Sequence, residues 1–219
     1  MTFSICVRES CGDHDRFGVA VTTRMPGIGD LSPFVSQDGA VAIQGHVTGA
    51  LGPQIIELLA DDYHLDDVVR TVLNPEVDPE NRQIHGVDRH GTTTYTGEAC
   101  NDWSGHLAGA DYSVAGNLLE SGEVLDAMAD SYEDSDRRER LAKRLIDALE
   151  AGEEAGGDHR DLDIQSAALR VFDPEAPLGD SYYNDLRTNA TWTPLADLRE
   201  QYELGVRGRK IVAERYDWD

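Results

Sequence analysis

Thr2 follows the initiator Met1, and a small hydroxyl residue in that position invites removal of the methionine. A threonine left at the N-terminus would carry a nucleophile and its own base in one residue, because a free α-amine has a reference pKa near 8. The chemistry that arrangement serves is amide hydrolysis. The short apolar run behind it, Phe3 to Val7, would hold such a threonine on a buried strand. A second group lies between Thr96 and His106, where Cys100, Trp103 and His106 share eleven positions with small polar residues and no periodic pattern. Asn117 follows a strand soon afterwards, and its carboxamide could donate to a developing oxyanion. Cys100 beside His106 is a rival nucleophile. The structural alternative is a turn-rich segment in which Trp103 plugs the core and His106 caps a strand. A third group is Gly156-Gly157-Asp158-His159-Arg160. Asp158 and Arg160 could orient an amine or bind a substrate carboxylate, the alternative being a solvated loop ahead of a strand.

The elements that must carry these groups follow from periodicity. Residues 3–8 and 17–21 read as a hairpin about the polar turn Asp13-His14-Asp15-Arg16. Residues 24–39 read as a long loop rich in Gly, Pro and Ser, followed by a strand over 40–44. Pro53 opens a helix and a second runs over 66–73. Strands are expected over 84–87, 92–96 and 111–115, with Asp88-Arg89-His90-Gly91 as a turn. His85, Asp88 and His90 are therefore read as hairpin residues and no metal is expected there or at His14. Helices over 122–132 and 136–150 come next. A strand over 165–172, an edge strand over 182–186 and a closing helix over 194–204 complete the order. No internal repeat or linker divides the chain, so residues 1–219 are read as one domain of α+β class.

Composition limits the partners. Aspartate and glutamate total 42 against 19 lysines and arginines, for a net charge of −23, and Lys143 and Lys210 are the only lysines. Hydrophobic residues still make up 40%, enough for a core, so the acidity belongs to the surface of a folded protein. It resembles the proteins of extreme halophiles. Phosphate contacts need a basic face, so nucleic acid is not an expected partner, the cluster Arg207-Gly208-Arg209-Lys210 being read as a solvated patch. No apolar run reaches the length of a membrane span, and no signal peptide is read at the N-terminus. Three cysteines without CxxC spacing fit a reducing cytoplasm. GxGxxG, Walker, HExxH and GxSxG motifs are absent, and no cofactor is called for.

The ordered pieces Met1-Thr2-Phe3-Ser4-Ile5, Gln44, Leu51-Gly52-Pro53, Arg82-Gln83 with Gly86-Val87-Asp88, Thr96-Gly97 with Cys100, Trp103, Gly105 and His106, Gly116-Asn117-Leu118, Gly156-Gly157-Asp158 with Arg160, Gln165-Ser166-Ala167-Ala168 and Asp185-Leu186-Arg187 span nearly the whole chain. In these the sequence resembles a family known as domain of unknown function 1028, placed in the N-terminal nucleophile (Ntn) hydrolase superfamily. It departs from the usual pattern at Cys6, where an aliphatic is typical, and in a slightly long segment between Arg160 and Gln165. The resemblance implies a four-layer αββα sandwich and cleavage of an amide or other linear C–N bond of a small molecule. It implies catalytic roles for Thr2, Asn117 and Asp158, with Asp158 or His106 holding the amine. Gln44, Cys100, Trp103, His106 and Arg160 would line the substrate site, Arg160 gripping an acidic group. A homodimer is the expected assembly. The alternative is a binding or scaffold protein that keeps the fold without catalysis.

Overall fold

The computed structural model describes residues 2–47, 49–100, 103–158, 160–176 and 181–216; Met1, Asn101, Asp102 and His159 lie outside them. Strand β1 (Thr2–Ser10) and β2 (Asp15–Thr23) form the opening hairpin. After β3 (Pro33–Val35), β4 (Gly39–Gly45), α1 (Leu51–Ala60) and α2 (Leu65–Leu73) come β5 (Arg82–Asp88), β6 (Thr92–Thr96), β7 (Gly105–Ala108) and β8 (Tyr112–Asn117). The remaining elements are α3 (Glu123–Glu133), α4 (Leu141–Glu154), β9 (Gln165–Phe172), α5 (Ser181–Asn184), β10 (Asp185–Thr191) and α6 (Pro194–Tyr216).

The strands make two antiparallel sheets, ordered β10-β9-β2-β1-β8-β7 and β3-β4-β5-β6. β1 is interior to the first sheet, paired with β2 on one side and β8 on the other. Alternation along the strands sorts the side chains. Phe3, Ile5 and Val7 of β1 join Val114 of β8 and Ala167 and Leu169 of β9 under α3, α4 and α6. Val41 and Ile43 of β4 and Ile84 of β5 pack under α1 and α2. The helices supply apolar faces at the expected spacing, as in Leu65, Val68, Val69 and Val72 of α2 and Leu141, Leu145, Ile146 and Leu149 of α4. The result is a mixed α+β architecture of two antiparallel sheets flanked by helices.

The opposite strand faces meet between the sheets, and their character changes along the strands. At one end Cys6, Phe17, Val19, Ala40, Ala42 and Val87 make a small apolar cluster. At the other, Thr2, Ser4, Thr23, Gln44, Gln83, His85 and Asn117 are all buried. A buried polar face is tolerated only when its groups satisfy one another, so this end of the interface is where chemistry concentrates.

Five expectations change, the first being the helix expected over 136–150, which begins only at Leu141 and runs to Glu154. The segment 24–39 is not wholly loop: Ile28–Asp30 forms a 3₁₀ turn and Pro33–Val35 a short strand on β4. The edge strand expected over 182–186 is displaced, because the tyrosine pair there enters the single helical turn α5 and the strand begins only at Asp185. Part of the 96–106 segment is strand, with His106 inside β7 rather than capping one. The closing helix runs on to Tyr216, far beyond its last core residue, Tyr202.

Candidate functional site

The register of β1 brings the first group together. Thr2 lies opposite Thr23 on β2 and opposite Asn117 on β8. Its hydroxyl donates to Thr23 Oγ1 at 3.2 Å, and the residue is 7% exposed. Asn117 Nδ2 donates to Gln83 Oε1 at 3.0 Å. Gln83 Nε2 faces Thr96 Oγ1 at 2.9 Å and the carbonyls of Gly105 and Gly116 at 3.0 Å each. Thr96 Oγ1 in turn meets His106 Nδ1 at 2.8 Å. Thus His106 reaches the neighbourhood of Thr2 through three intervening side chains.

The glycine loop supplies a second arm. Gly156 and Gly157 have φ of 124° and 51°, a backbone region that side chains disfavour, and this turn carries Asp158 back to an isolated bridge with Leu119. Asp158 is buried and accepts from the Arg24 backbone N–H at 3.0 Å. Arg160 closes on it through Nε at 3.2 Å and Nη2 at 2.9 Å, a two-pronged pair. Arg160 Nη2 also lies 3.5 Å from Thr23 Oγ1, the atom that accepts from Thr2. Glu153 stands beside this arm, with Arg24 at 3.6 Å. Burial raises its pKa against the opposing pull of Arg24, and Asp158 adds to the rise.

A third chain runs deeper between the sheets. Ser4 Oγ meets His85 Nε2 at 2.6 Å, and His85 Nδ1 meets Ser113 Oγ at 2.9 Å. Burial, followed by the nearby His106, lowers the His85 pKa to about 3, so the ring is neutral. Ser113 donates to the Gly86 carbonyl at 3.3 Å, an acceptor only. Ser113 Oγ therefore accepts from Nδ1–H, leaving Nε2 to accept from Ser4. Ser4 has no second proton for the Gln44 carboxamide atom 3.3 Å away, so Gln44 meets it with its amino end. The opposite end of that buried carboxamide has no partner among the described residues.

Cys100 and Trp103 stand apart from these chains. The Cys100 thiol donates to the Arg82 carbonyl at 3.3 Å, and burial raises its pKa, the reverse of what activates a thiolate. Cys100 and His106 share no hydrogen bond among the described residues. Trp103 is 40% exposed rather than a core plug. Its ring lies over Gly105 and Gly122, where a Cβ would come within 2.8 Å of it. His85 is a strand residue and His90 stacks on His64, so the two do not form a ligand pair. Asp13 and His14 of the β1–β2 turn and Glu175 of the segment after β9 bring one ligand atom each within 4.8 Å of one another, at the end of the hairpin remote from Thr2.

Sequence reasoning missed Thr23 and the roles of Ser4, Gln83, His85 and Thr96. The available signal was polar residues at every second position of strands otherwise built for burial: Thr2 and Ser4 alternating with Phe3 and Ile5, and Gln83 and His85 about Ile84.

Fold and site together define an α+β protein with a buried polar cluster at one end of two facing sheets. The chain belongs to the family described as Family of unknown function (DUF1028), whose pattern it matches over residues 2–198. Among solved structures it is similar to protein SPO2555 from Silicibacter pomeroyi, also of that family, with 28% identity and a TM-score of 0.79. That match covers 92% of this chain and 88% of the other. It is also matched by Anbu (ancestral beta-subunit) from Yersinia bercovieri, with 13% identity over 95% of this chain and 96% of that one. A TM-score of 0.38 is too low for that match to bear on this chain. No curated protein matches the chain.

Proposed function

We propose that the protein is an Ntn-type hydrolase that cleaves an amide or other linear C–N bond of a small molecule. In this reading the two sheets and their helices are the four-layer αββα sandwich of that superfamily, one domain acting in the cytoplasm as a homodimer. Removal of Met1 frees the Thr2 α-amine. The amine takes the proton from Thr2 Oγ, which attacks the substrate carbonyl. Asn117 keeps one amide proton not used on Gln83, and it donates to the tetrahedral oxyanion. The amine then passes its proton to the leaving nitrogen, and water activated by the same amine releases the acyl ester. Asp158 acts through Arg160 and Thr23 to fix the Thr2 hydroxyl, while Gln44, Cys100, Trp103, His106 and Arg160 bound the substrate.

The observation that carries the reading is the ladder register that sets Thr2 between Thr23 and Asn117. The burial of Thr2, 7% exposed, favours the second reading, a binding or scaffold protein without catalysis. Intact mass and N-terminal sequencing of the protein separate the two. A chain beginning at Thr2, with hydrolysis of a small-molecule amide that disappears in Thr2→Ala, supports the hydrolase. A chain that keeps Met1 removes the free-amine mechanism.

A further inference from the structure

We propose that Gln83 is the positioning residue for Asn117, an inference that rests on the hydrolase reading. The reasoning is one of donors and acceptors. The Gly105 and Gly116 carbonyls accept and never donate, and both lie 3.0 Å from the same end of the Gln83 carboxamide. That end is therefore the amino group, whichever way round an amide is drawn. The other end must be the oxygen, an acceptor, and it lies 3.0 Å from Asn117. Asn117 can meet it only with its own amino group. Two backbone carbonyls on β7 and β8 thus dictate, through Gln83, which end of Asn117 is the donor and where it stands beside Thr2.

Gln83 has the means to do this. It is fully buried on β5, in the opposite sheet from Asn117, so it ties the two sheets together at the Thr2 end. Its two N–H groups have three acceptors in reach, so a small rotation leaves it bonded. Thr96 Oγ1 accepts from it and also meets Nδ1 of His106 at 2.8 Å, which extends the chain of contacts from Asn117 to His106. Without Gln83, the Asn117 carboxamide has lost its partner among the described residues, is free to turn over, and would present an oxygen to a developing negative charge.

A β-lactone bearing a small alkyl group tests this without knowledge of the substrate. Thr2 Oγ attacks the lactone carbonyl and the ring C–O bond breaks. The freed ring oxygen takes the proton that the α-amine removed from Oγ, so the protein gains the whole probe mass as an ester. Mild periodate serves as a control, since it cleaves a free N-terminal amino alcohol to a glyoxylyl group and needs no oxyanion donor. In Gln83→Met the maximal acylation rate should fall by roughly tenfold to a hundredfold, a part of what the loss of an oxyanion donor costs. The half-saturating probe concentration and the periodate reaction should be unchanged. The fall should vanish when Gln83→Met is made in an Asn117→Ala background, which a merely structural role would not produce. Gln83→Asn, which keeps a carboxamide but draws it back by one methylene from Asn117, should give a smaller loss with the same dependence on Asn117, and it stands in should Gln83→Met fail to fold. Equal acylation of wild type and variant, or a loss that persists without Asn117, overturns the positioning role alone. A wild-type protein cleaved by periodate but never acylated overturns the hydrolase reading and the positioning role together.

Discussion

Among single residues His85 has the most to lose from acid. It has no exposed surface, sits between the Ser4 and Ser113 hydroxyls, and titrates near pH 3 where an unfolded histidine titrates near 6.5. The unfolded chain therefore binds the extra proton first as pH falls. The stability that His85 contributes is complete above about pH 6.5 and drains away down to about pH 3. Between pH 6.5 and 5 the loss should be about 2 kcal/mol. His106, also lowered by burial, adds to it with the same sign. Urea denaturation across that window checks this, and His85→Leu should flatten the slope while lowering stability at pH 7 by taking one hydrogen-bond partner from each of two buried hydroxyls. A slope unchanged by that substitution would place the acid sensitivity elsewhere. The residues legible from sequence were those next to punctuation: Thr2 near the start, Asn117 after a glycine, Asp158 and Arg160 behind a glycine pair. The roles of His85, Gln83 and Thr96 were hidden inside strands, because nothing in a single strand says which face will meet another sheet.

Elements are fixed by a few contacts that tolerate no added atom. Gly86 on β5 is one: a Cβ there would lie 2.4 Å from the Ala40 carbonyl of β4, with Leu65 and Val41 atoms at 3.0 Å. Gly86→Ala should cost about 2 kcal/mol or more, since backbone cannot give way as a side chain can. Because β5 carries Gln83 and His85, the same substitution should slow any chemistry at Thr2 beyond its effect on folding; a thermal melt beside the lactone labelling rate separates the two. Arg144 of α4 is another fixed point, buried against Glu9 at the end of β1 and over the Tyr132 ring. Arg144→Met should destabilise by about 2–3 kcal/mol, below the usual 3–5 for a broken buried pair because Arg16 and Arg137 still face Glu9. Chemical denaturation reads this directly. Most elements were legible because their apolar spacing is regular, as in α2 and α4. The short β3 and β7 were not, having three and four residues with little pattern of their own. The start of β10 was obscured because Tyr182 and Tyr183 suit a strand as well as the helical turn they adopt.

For the whole molecule the dominant fact is charge. A net −23 on a folded surface is self-repelling, and salt shortens the range of that repulsion from about 10 Å at 0.1 M to about 3 Å at 1 M. The melting temperature should therefore rise steadily with potassium chloride over that range, and a flat series would show that repulsion among the surface carboxylates does not limit stability. Among the described residues no helix is long and apolar enough to cross a membrane. The positive charge that does exist is uneven: Arg207, Arg209 and Lys210 lie on the part of α6 that runs past its last core residue, outside the span shared with the family.

The position of β1 also has a consequence for biosynthesis. Its hairpin partner ends at Thr23, but its other neighbour is complete only at Asn117, 94 residues later. At roughly 5–20 residues per second, the nascent chain holds that edge open for about 5–20 seconds. Under the hydrolase reading, an aminopeptidase that frees Thr2 would work best in that interval, before the strand is closed in from both sides. Slowing translation upstream of Asn117 would lengthen the interval, and the proportion of chains trimmed would record how long the ribosome took.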